Sequence, residues 1–108
     1  MATPEKLTGK LTGKQLRHLR SLAHALKPIV QVGKQGFTDA VAGQIDSALT
    51  DHELIKIRVN SECPMKVKEL GAKASEAASA HLAQTIGLIA VLYRAHPKKP
   101  EIKLPKGK

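Results

Sequence analysis

Several residue types are scarce in this 108-residue chain, and each scarcity excludes a class of protein. The single cysteine, Cys63, excludes an internal disulfide, so a reducing cytoplasm is the expected compartment. No apolar run approaches the ~20 residues of a membrane span, and the N-terminus lacks the apolar core of a secretory signal. Tryptophan is absent and there is one tyrosine and one phenylalanine, so the core must be aliphatic and aromatic stacking on nucleobases is nearly unavailable.

Groups of catalytic or metal-binding residues are also scarce. The five histidines are not arranged at ligand spacing, since His18 and His24 are six residues apart and Cys63 has no second cysteine near it. A cysteine nucleophile needs a base and an orienting group, and the sequence suggests neither for Cys63. We therefore expect no enzyme activity, no cofactor, no metal and no small-molecule substrate, and we expect Cys63 to be a small buried residue at a helix start.

Acidic residues are rare at the two ends of the chain. Residues 1–34 contain seven lysines and arginines against one acid, a net charge of +6, and residues 96–108 contain five lysines against one acid, a net charge of +4. Residues 35–95 contain six bases and seven acids, a net charge of −1. Because the total of +9 is concentrated in two segments, it indicates a polyanionic partner such as nucleic acid.

The motif Gly-Lys-Gln-Gly at residues 33–36, here called the GxxG loop, lies between a predicted strand over 29–32 and a predicted helix. Thr38 and Asp39 are typical of a helix start. Two glycines let the backbone turn tightly and approach a ligand, and the lysine, the glutamine and the amides of the helix N-terminus can all bind phosphate oxygens. KH modules clamp a nucleic-acid backbone with such a loop, so RNA contact is predicted; a purely structural turn is the alternative.

A basic helix is predicted before this strand. Residues 12–15 fit a capping box, and Pro28 should end the helix. At about 100° per residue, one side of this helix is apolar and the other carries no acid. The apolar side contains Leu16, Leu19, Leu22, Ala23 and Leu26, and the basic side contains Lys14, Arg17, Arg20, His24 and Lys27. If it lies beside the GxxG loop, the basic side is predicted to contact further phosphates; a solvated helix face is the alternative.

The remaining pattern predicts an α/β fold in the order α-β-α-β-α-β-β, with helices packed on one four-stranded sheet. The second helix, which begins after the GxxG loop, is expected to end near residues 50–51. A third helix is expected to run from Cys63-Pro64 to about His81, with Gly71 as a weak point or kink. Strands are expected over 54–59, 84–86 and 88–93, with a tight connection at Gly87. The last strand is apolar on both faces, which predicts a central position.

Two further features carry positive charge. Lys56 and Arg58 share one face of the strand 54–59 and are candidate RNA-binding residues; they either face solvent or are covered by a helix that leaves their tips exposed. Residues 96–108 are expected to form a basic tail, packed on the domain through Ile102 and Leu104, which either adds nonspecific RNA affinity or only solubilises the chain. Residues 1–10 are expected to form a flexible arm, and residues 11–95 the domain.

Five separated segments resemble those of one family. They are residues 11–17 (Leu-Thr-Gly-Lys-Gln-Leu-Arg), 23–28 (Ala-His-Ala-Leu-Lys-Pro), 32–38 (Val-Gly-Lys-Gln-Gly-Phe-Thr), 54–59 (Leu-Ile-Lys-Ile-Arg-Val) and 91–94 (Val-Leu-Tyr-Arg). In this order they resemble the CRM domain (chloroplast RNA splicing and ribosome maturation) in its bacterial single-domain YhbY form. The resemblance covers residues 11–105, and the alanine- and serine-rich stretch 72–83 departs from the family pattern.

This resemblance implies an RNA-binding module whose fold is related to the C-terminal domain of bacterial translation initiation factor three. It places Gly33, Lys34, Gln35 and Gly36 in an RNA-contacting loop between the first strand and the second helix. Bacterial members associate with precursors of the large ribosomal subunit, and plant members act in group II intron splicing. We therefore predict a non-enzymatic, cytoplasmic monomer that binds ribosomal RNA in these precursors and assists ribosome assembly.

Two other functions remain as alternatives. The same positive charge would suit a general nucleic-acid-binding protein that contacts duplex DNA or intron RNA and has no ribosomal role. A small enzyme could use the GxxG loop as the anion site for a phosphate-bearing substrate. Against the enzyme, the loop lacks the Lys-Ser/Thr ending of a P-loop.

Overall fold

The computed structural model describes residues 11–96, 98 and 102, and these form three helices and four strands in the predicted order. The elements are α1 (Gly13–Ala23), β1 (Val30–Val32), α2 (Asp39–His52), β2 (Leu54–Val59), α3 (Val67–Ala78), β3 (His81–Ile86) and β4 (Ile89–Tyr93). The predicted arm over residues 1–10 and most of the predicted tail, including Leu104, lie outside the described residues.

The four strands form one mixed sheet in the order β1-β2-β4-β3. β1 runs parallel to β2, and β4 pairs antiparallel with both β2 and β3. The central position of β4 is therefore confirmed, and four of its five residues are buried. Because β4 is covered on both faces, alternation of polar and apolar residues is not required of it.

Helices cover both faces of the sheet and create two apolar clusters. The larger cluster lies between the sheet and the helices α2 and α3, and includes Ile45, Ile57 and Leu70. The smaller cluster lies between the sheet and α1, and includes Leu19 and Tyr93. Alternate residues of each strand therefore face α1 or the α2–α3 pair, and we call the first face the α1 side of the sheet.

The predicted capping residues are confirmed at the first two helices. Thr12 Oγ1 accepts a hydrogen bond from Gln15 N at 3.2 Å, and Thr12 N donates to Gln15 Oε1 at 3.1 Å, which completes the capping box. Thr38 Oγ1 accepts from Val41 N at 3.2 Å. These short-range hydrogen bonds satisfy backbone amides that a helix leaves without partners at its start.

The predicted end of α1 at Pro28 is wrong, because the helix ends at Ala23. Leu26 N donates to Ala23 O at 2.9 Å, so the chain tightens into i→i−3 bonding after the helix. A residue that precedes proline is sterically disfavoured in the helical conformation, and Lys27 holds that position. Lys27 therefore does not lie on α1, although it was predicted to extend its basic side.

The predicted start of α3 at Cys63-Pro64 is also wrong, because α3 begins at Val67. Cys63 N donates to Asn60 O at 2.9 Å, which places this pair in a turn, and Lys66 N donates to Glu69 Oε1 at 3.1 Å at the true helix start. Cys63 is half-buried in this turn rather than at a helix start. α3 ends at Ala78, before Ser79 adopts a left-handed conformation with φ of 54°.

Gly71 does not interrupt α3, which continues through it as one helix. The residue is buried, and a Cβ atom placed there would lie 2.8 Å from Leu82 Cδ1. The missing side chain therefore allows α3 to pack closely against β3. Gly71, which was predicted to weaken or kink the helix, is instead the place where α3 packs closely on β3.

Arg94, directly after β4, connects three elements through its guanidinium group. It donates to Asp46 Oδ1 at 2.7 Å, to Asp46 O at 3.0 Å, to Thr50 Oγ1 at 2.9 Å and to Ala78 O at 2.8 Å. Asp46 and Thr50 belong to α2, and Ala78 ends α3. A single side chain thus holds the C-terminal parts of α2 and α3 to the end of the sheet.

Replacement of Arg94 should therefore destabilise the fold more than replacement of its carboxylate partner. We expect Arg94→Met to lower the free energy of unfolding by about 2–3 kcal/mol, because two carbonyl acceptors lose a charged donor. The Arg94 side chain is 15% exposed and that of Asp46 is 64% exposed. Asp46→Asn should thus cost less than about 1 kcal/mol. Urea denaturation of both variants checks this, and equal losses would contradict it.

Tyr93 should titrate at higher pH in the folded protein than in the unfolded protein. Burial raises the pKa of its phenol above the usual 10.0, and the negative charge of Glu53 raises this pKa further. The neutral phenol therefore stabilises the fold below pH 10, and this contribution is lost as the pH rises through the folded pKa. Tyr93 is the single tyrosine of the chain, so tyrosinate absorbance reports it directly. Equal midpoints in native buffer and in urea would contradict this expectation.

Candidate nucleic-acid interface

The GxxG loop forms a closed turn at the end of β1. Gly36 N donates to Gly33 O at 3.0 Å, which leaves Lys34 and Gln35 exposed at the centre of the turn. Within the described part of the chain, the backbone amides of these two residues donate to no protein acceptor. The tip of the loop therefore offers an ammonium group, a carboxamide and two backbone amides to an anionic ligand.

The GxxG loop rests against the segment that connects β2 to α3. Gly36 is buried with a left-handed φ of 71°, and a Cβ atom there would lie 3.3 Å from Pro64 Cγ. Asn60 N donates to Val32 O at 2.8 Å, at the start of the loop. Asn60 and Pro64 thus hold the loop in place, a role that the sequence does not reveal because Cys63-Pro64 resembles a helix start.

The N-terminus of α2 is less suited to phosphate than the loop tip. The backbone amide of Val41 already donates its hydrogen bond to the Thr38 hydroxyl, and Asp39 places an exposed carboxylate in the first turn. A carboxylate there interacts favourably with the helix dipole and repels a second anion. The available phosphate-binding groups are therefore those of Lys34 and Gln35.

Arg58 is the basic strand residue nearest to the GxxG loop in the sheet register. It pairs with Gln31, two residues before Gly33, and both side chains are exposed. Because Ile57 and Val59 face the α2–α3 cluster, Arg58 faces the α1 side of the sheet. Lys56 faces the same side and is half-buried. Arg58 is thus exposed to solvent, whereas Lys56 is partly covered.

The basic residues of α1 lie on the same side of the sheet as Arg58. Lys14, Arg17 and Arg20 are exposed on α1, which packs mainly on β2, β3 and β4. Lys27 is exposed near the start of β2, where it lines a cleft with Leu54. The α1 bases and Arg58 therefore lie on one side of the sheet, and Lys27 lies at the opposite end of β2 from Arg58. Since α1 packs on β2, β3 and β4 rather than on β1, the structure does not bring its basic side directly beside the GxxG loop.

α1 and α2, on opposite sides of the sheet, carry charge of opposite sign, whereas α3 contains two lysines and two glutamates. α1 contains three bases and no acid, and the four strands contain Lys56 and Arg58 and no acid. α2, on the opposite side, contains Asp39, Asp46 and Asp51 and neither lysine nor arginine. A polyanion is therefore attracted to the α1 side and repelled by α2.

Other kinds of site find no support among residues 11–96, 98 and 102. In this part of the chain, no group of three or more histidine, cysteine or acidic residues could hold a metal ion. No helix in the same residues is both long and apolar enough to span a bilayer.

Comparison with known proteins gives consistent matches. Residues 11–94 match the family model of the CRS1/YhbY (CRM) domain. The chain is 43% identical over 95 residues to the "Probable RNA-binding protein YqeI" of Bacillus subtilis, with 88% of this chain and 99% of that protein covered. It is 40% identical over 97 residues to an RNA-binding protein of Haemophilus influenzae, with 89% and 96% covered.

A solved structure is similar as well. The solution structure of a hypothetical protein of Staphylococcus aureus, proposed to bind RNA, superimposes with a TM-score of 0.73 at 45% identity. The similarity covers 89% of this chain and all of the other.

The two glycines of the loop should respond differently to alanine. Gly36→Ala should lower the free energy of unfolding by about 1–2 kcal/mol, because alanine is strained in the left-handed conformation. At Gly33 a Cβ atom would lie 3.7 Å from Asn60 Nδ2, an ordinary contact, so Gly33→Ala should be nearly neutral. Denaturation midpoints measure both, and an equal loss at the two positions would contradict the geometry.

Proposed function

Because the chain belongs to the CRS1/YhbY (CRM) domain family, we propose that it is an RNA-binding protein of large-subunit assembly. The curated relatives from Bacillus subtilis and Haemophilus influenzae are named RNA-binding proteins, which supports RNA as the partner. The family resemblance suggests ribosomal RNA within precursors of the large subunit as that RNA. The protein binds it as a cytoplasmic monomer and catalyses no reaction.

The separation of charge across the sheet carries this proposal. RNA presents a dense row of phosphates, and neutralising them with lysine and arginine supplies most of the affinity of a sequence-independent contact. α1 and β2 contain lysines and arginines and no acidic residue. α2 contains three carboxylates, of which Asp46 is ion-paired with Arg94, and neither lysine nor arginine. RNA therefore binds on the α1 side of the sheet.

The GxxG loop anchors one phosphate at the edge of this surface. The amides of Lys34 and Gln35 and the Lys34 ammonium group donate hydrogen bonds to its oxygens. Gly36, with its left-handed φ, allows the turn that presents these groups. Arg58 holds a neighbouring phosphate, and Lys14, Arg17 and Arg20 extend the contact along α1. Lys56 and Lys27 continue the positive surface away from the loop, toward the start of β2.

The side chains on this surface determine which feature of the RNA the protein recognises. Tyr93 is buried and Phe37 is half-buried against the α2–α3 cluster, so neither is an open platform for a base. Phosphate contacts position a protein without reading sequence. The protein therefore recognises the shape of a folded RNA.

Removal of two charges from α1 should weaken RNA binding more than removal of two charges from α3. We expect Lys14→Gln with Arg17→Gln to reduce the affinity for a structured ribosomal RNA fragment about tenfold. The slope of log affinity against log salt concentration should become shallower by about two, because two phosphate contacts are lost. The matched control is Lys68→Gln with Lys73→Gln, two exposed α3 lysines, which should stay within about twofold of the parent. Fluorescence anisotropy at several salt concentrations measures both, and equal losses would contradict the proposed surface.

The ribosomal assignment needs a measurement in cells. Crosslinking of the protein to RNA, with sequencing of the bound RNA and sizing of the particles on a gradient, should enrich large-subunit precursors. The variant Lys14→Gln with Arg17→Gln should lose this enrichment. Signal spread over many transcripts would contradict the ribosomal role, and equal binding of duplex DNA at matched salt would favour a general nucleic-acid-binding protein.

A further inference from the structure

Two large aliphatic side chains are exposed where β3 turns into β4. Ile86 is 57% exposed and Leu88 is 42% exposed, on either side of Gly87 with its positive φ of 55°. Val59 N donates to Leu88 O at 2.7 Å, so this turn is held against the end of β2. Exposure of aliphatic surface to water is unfavourable, so these two side chains are candidates for contact with a partner.

The strand register connects Ile86 to the GxxG loop. Ile86 pairs with Ile89, Ile89 pairs with Arg58, and Arg58 pairs with Gln31. Paired residues face the same side of a sheet, so these four side chains form one row across all four strands. We call it the edge row; it faces the α1 side, and Gln31 at its end is two residues before Gly33.

α1 leaves most of the edge row open. The cluster beneath α1 includes Leu54, Val91 and Tyr93, which lie further along the strands. In the edge row, Ile89 is half-buried, whereas Ile86, Arg58 and Gln31 are exposed. Three strand spacings of about 4.8 Å make the row about 14 Å wide, which is enough for a nucleobase beside its phosphate.

We propose that the edge row binds an unpaired nucleobase of the RNA. The flat apolar face of the base lies on Ile86 and Ile89, and its flanking phosphates contact Arg58 and the GxxG loop. This assignment follows from charge complementarity, since the aliphatic residues adjoin cations without a neighbouring carboxylate in the strands. Bases in a duplex are stacked on each other, so the face that this surface needs is available only in loops, bulges and ends.

This inference rests on the proposed RNA binding and adds that the RNA must present an unpaired base. Ile86→Ser tests it, with Ile29→Ser as the matched control, because Ile29 is 51% exposed and precedes β1 at the far end from the loop. The probes are an RNA hairpin with an unpaired loop and the same hairpin with abasic loop nucleotides. Both RNAs carry the same phosphates, so their difference reports the bases alone.

Ile86→Ser should bind the intact hairpin about five- to tenfold more weakly than the parent, because the aliphatic surface under the base is lost. It should bind the abasic hairpin like the parent, and the parent should itself prefer the intact hairpin. Ile29→Ser should match the parent on both RNAs. Thermal unfolding of Ile86→Ser should be unchanged, since the side chain is exposed.

Three outcomes separate this inference from the proposed function. If Ile86→Ser binds both hairpins like the parent, the edge row does not hold a base, although loss of binding in the α1 double variant would still support RNA binding. If Ile86→Ser weakens both hairpins equally, the contact is not to a base and the inference is wrong. If the parent binds neither hairpin, the proposed RNA binding itself is contradicted.

Discussion

The position of β2 between β1 and β4 fixes the rest of this structure. Its register aligns Ile57 with Val30 on one side and with Ala90 on the other, so Ile55, Ile57 and Val59 point into the α2–α3 cluster. A slip of one residue would turn Arg58 into that cluster and expose Ile57. The same hydrogen bonds that build the core therefore also decide that Arg58 faces the α1 side.

The sheet thus works as a divider between two electrostatic environments. The apolar faces of α1 and α2 bind opposite sides of the same strands, and their outer faces carry opposite charge. The outer faces of α1 and α2 lie on opposite sides of the sheet, further apart than the Debye length of about 8 Å at physiological ionic strength. Solvent ions therefore screen the carboxylates of α2 from a ligand on the α1 side, which would not happen if both charges were mixed on one face. This packing therefore places the lysines and arginines of α1 and β2 on the α1 side of the sheet.

The parts of the fold that depend on neighbouring residues could be predicted from sequence. The capping residues Thr12 and Thr38 act within four positions, and the two-sided apolar pattern of residues 88–93 depends only on the strand itself. The family assignment was also accessible, because five separated motifs carry it. The start of α3 was mispredicted because Cys63-Pro64 imitates a helix start, whereas the hydrogen bond between Lys66 and Glu69 sets the actual one.

The parts that depend on long-range pairing could not be predicted. Arg94 and Asp46 are 48 residues apart in the sequence, and no local pattern marks them as partners. The support of Gly36 by Pro64 and the alignment of Ile86 with Arg58 likewise require knowledge of which strands are neighbours. The candidate loop was visible as a motif, while the surface around it was not.

The most direct measurement is a map of backbone amide chemical shifts in the protein as a structured ribosomal RNA fragment is added. Binding on the α1 side predicts the largest changes in the GxxG loop, in α1 and at Arg58, with α2 nearly unchanged between Asp46 and Asp51. Changes centred on α2 and α3, or changes of equal size on both sides of the sheet, would contradict binding on the α1 side.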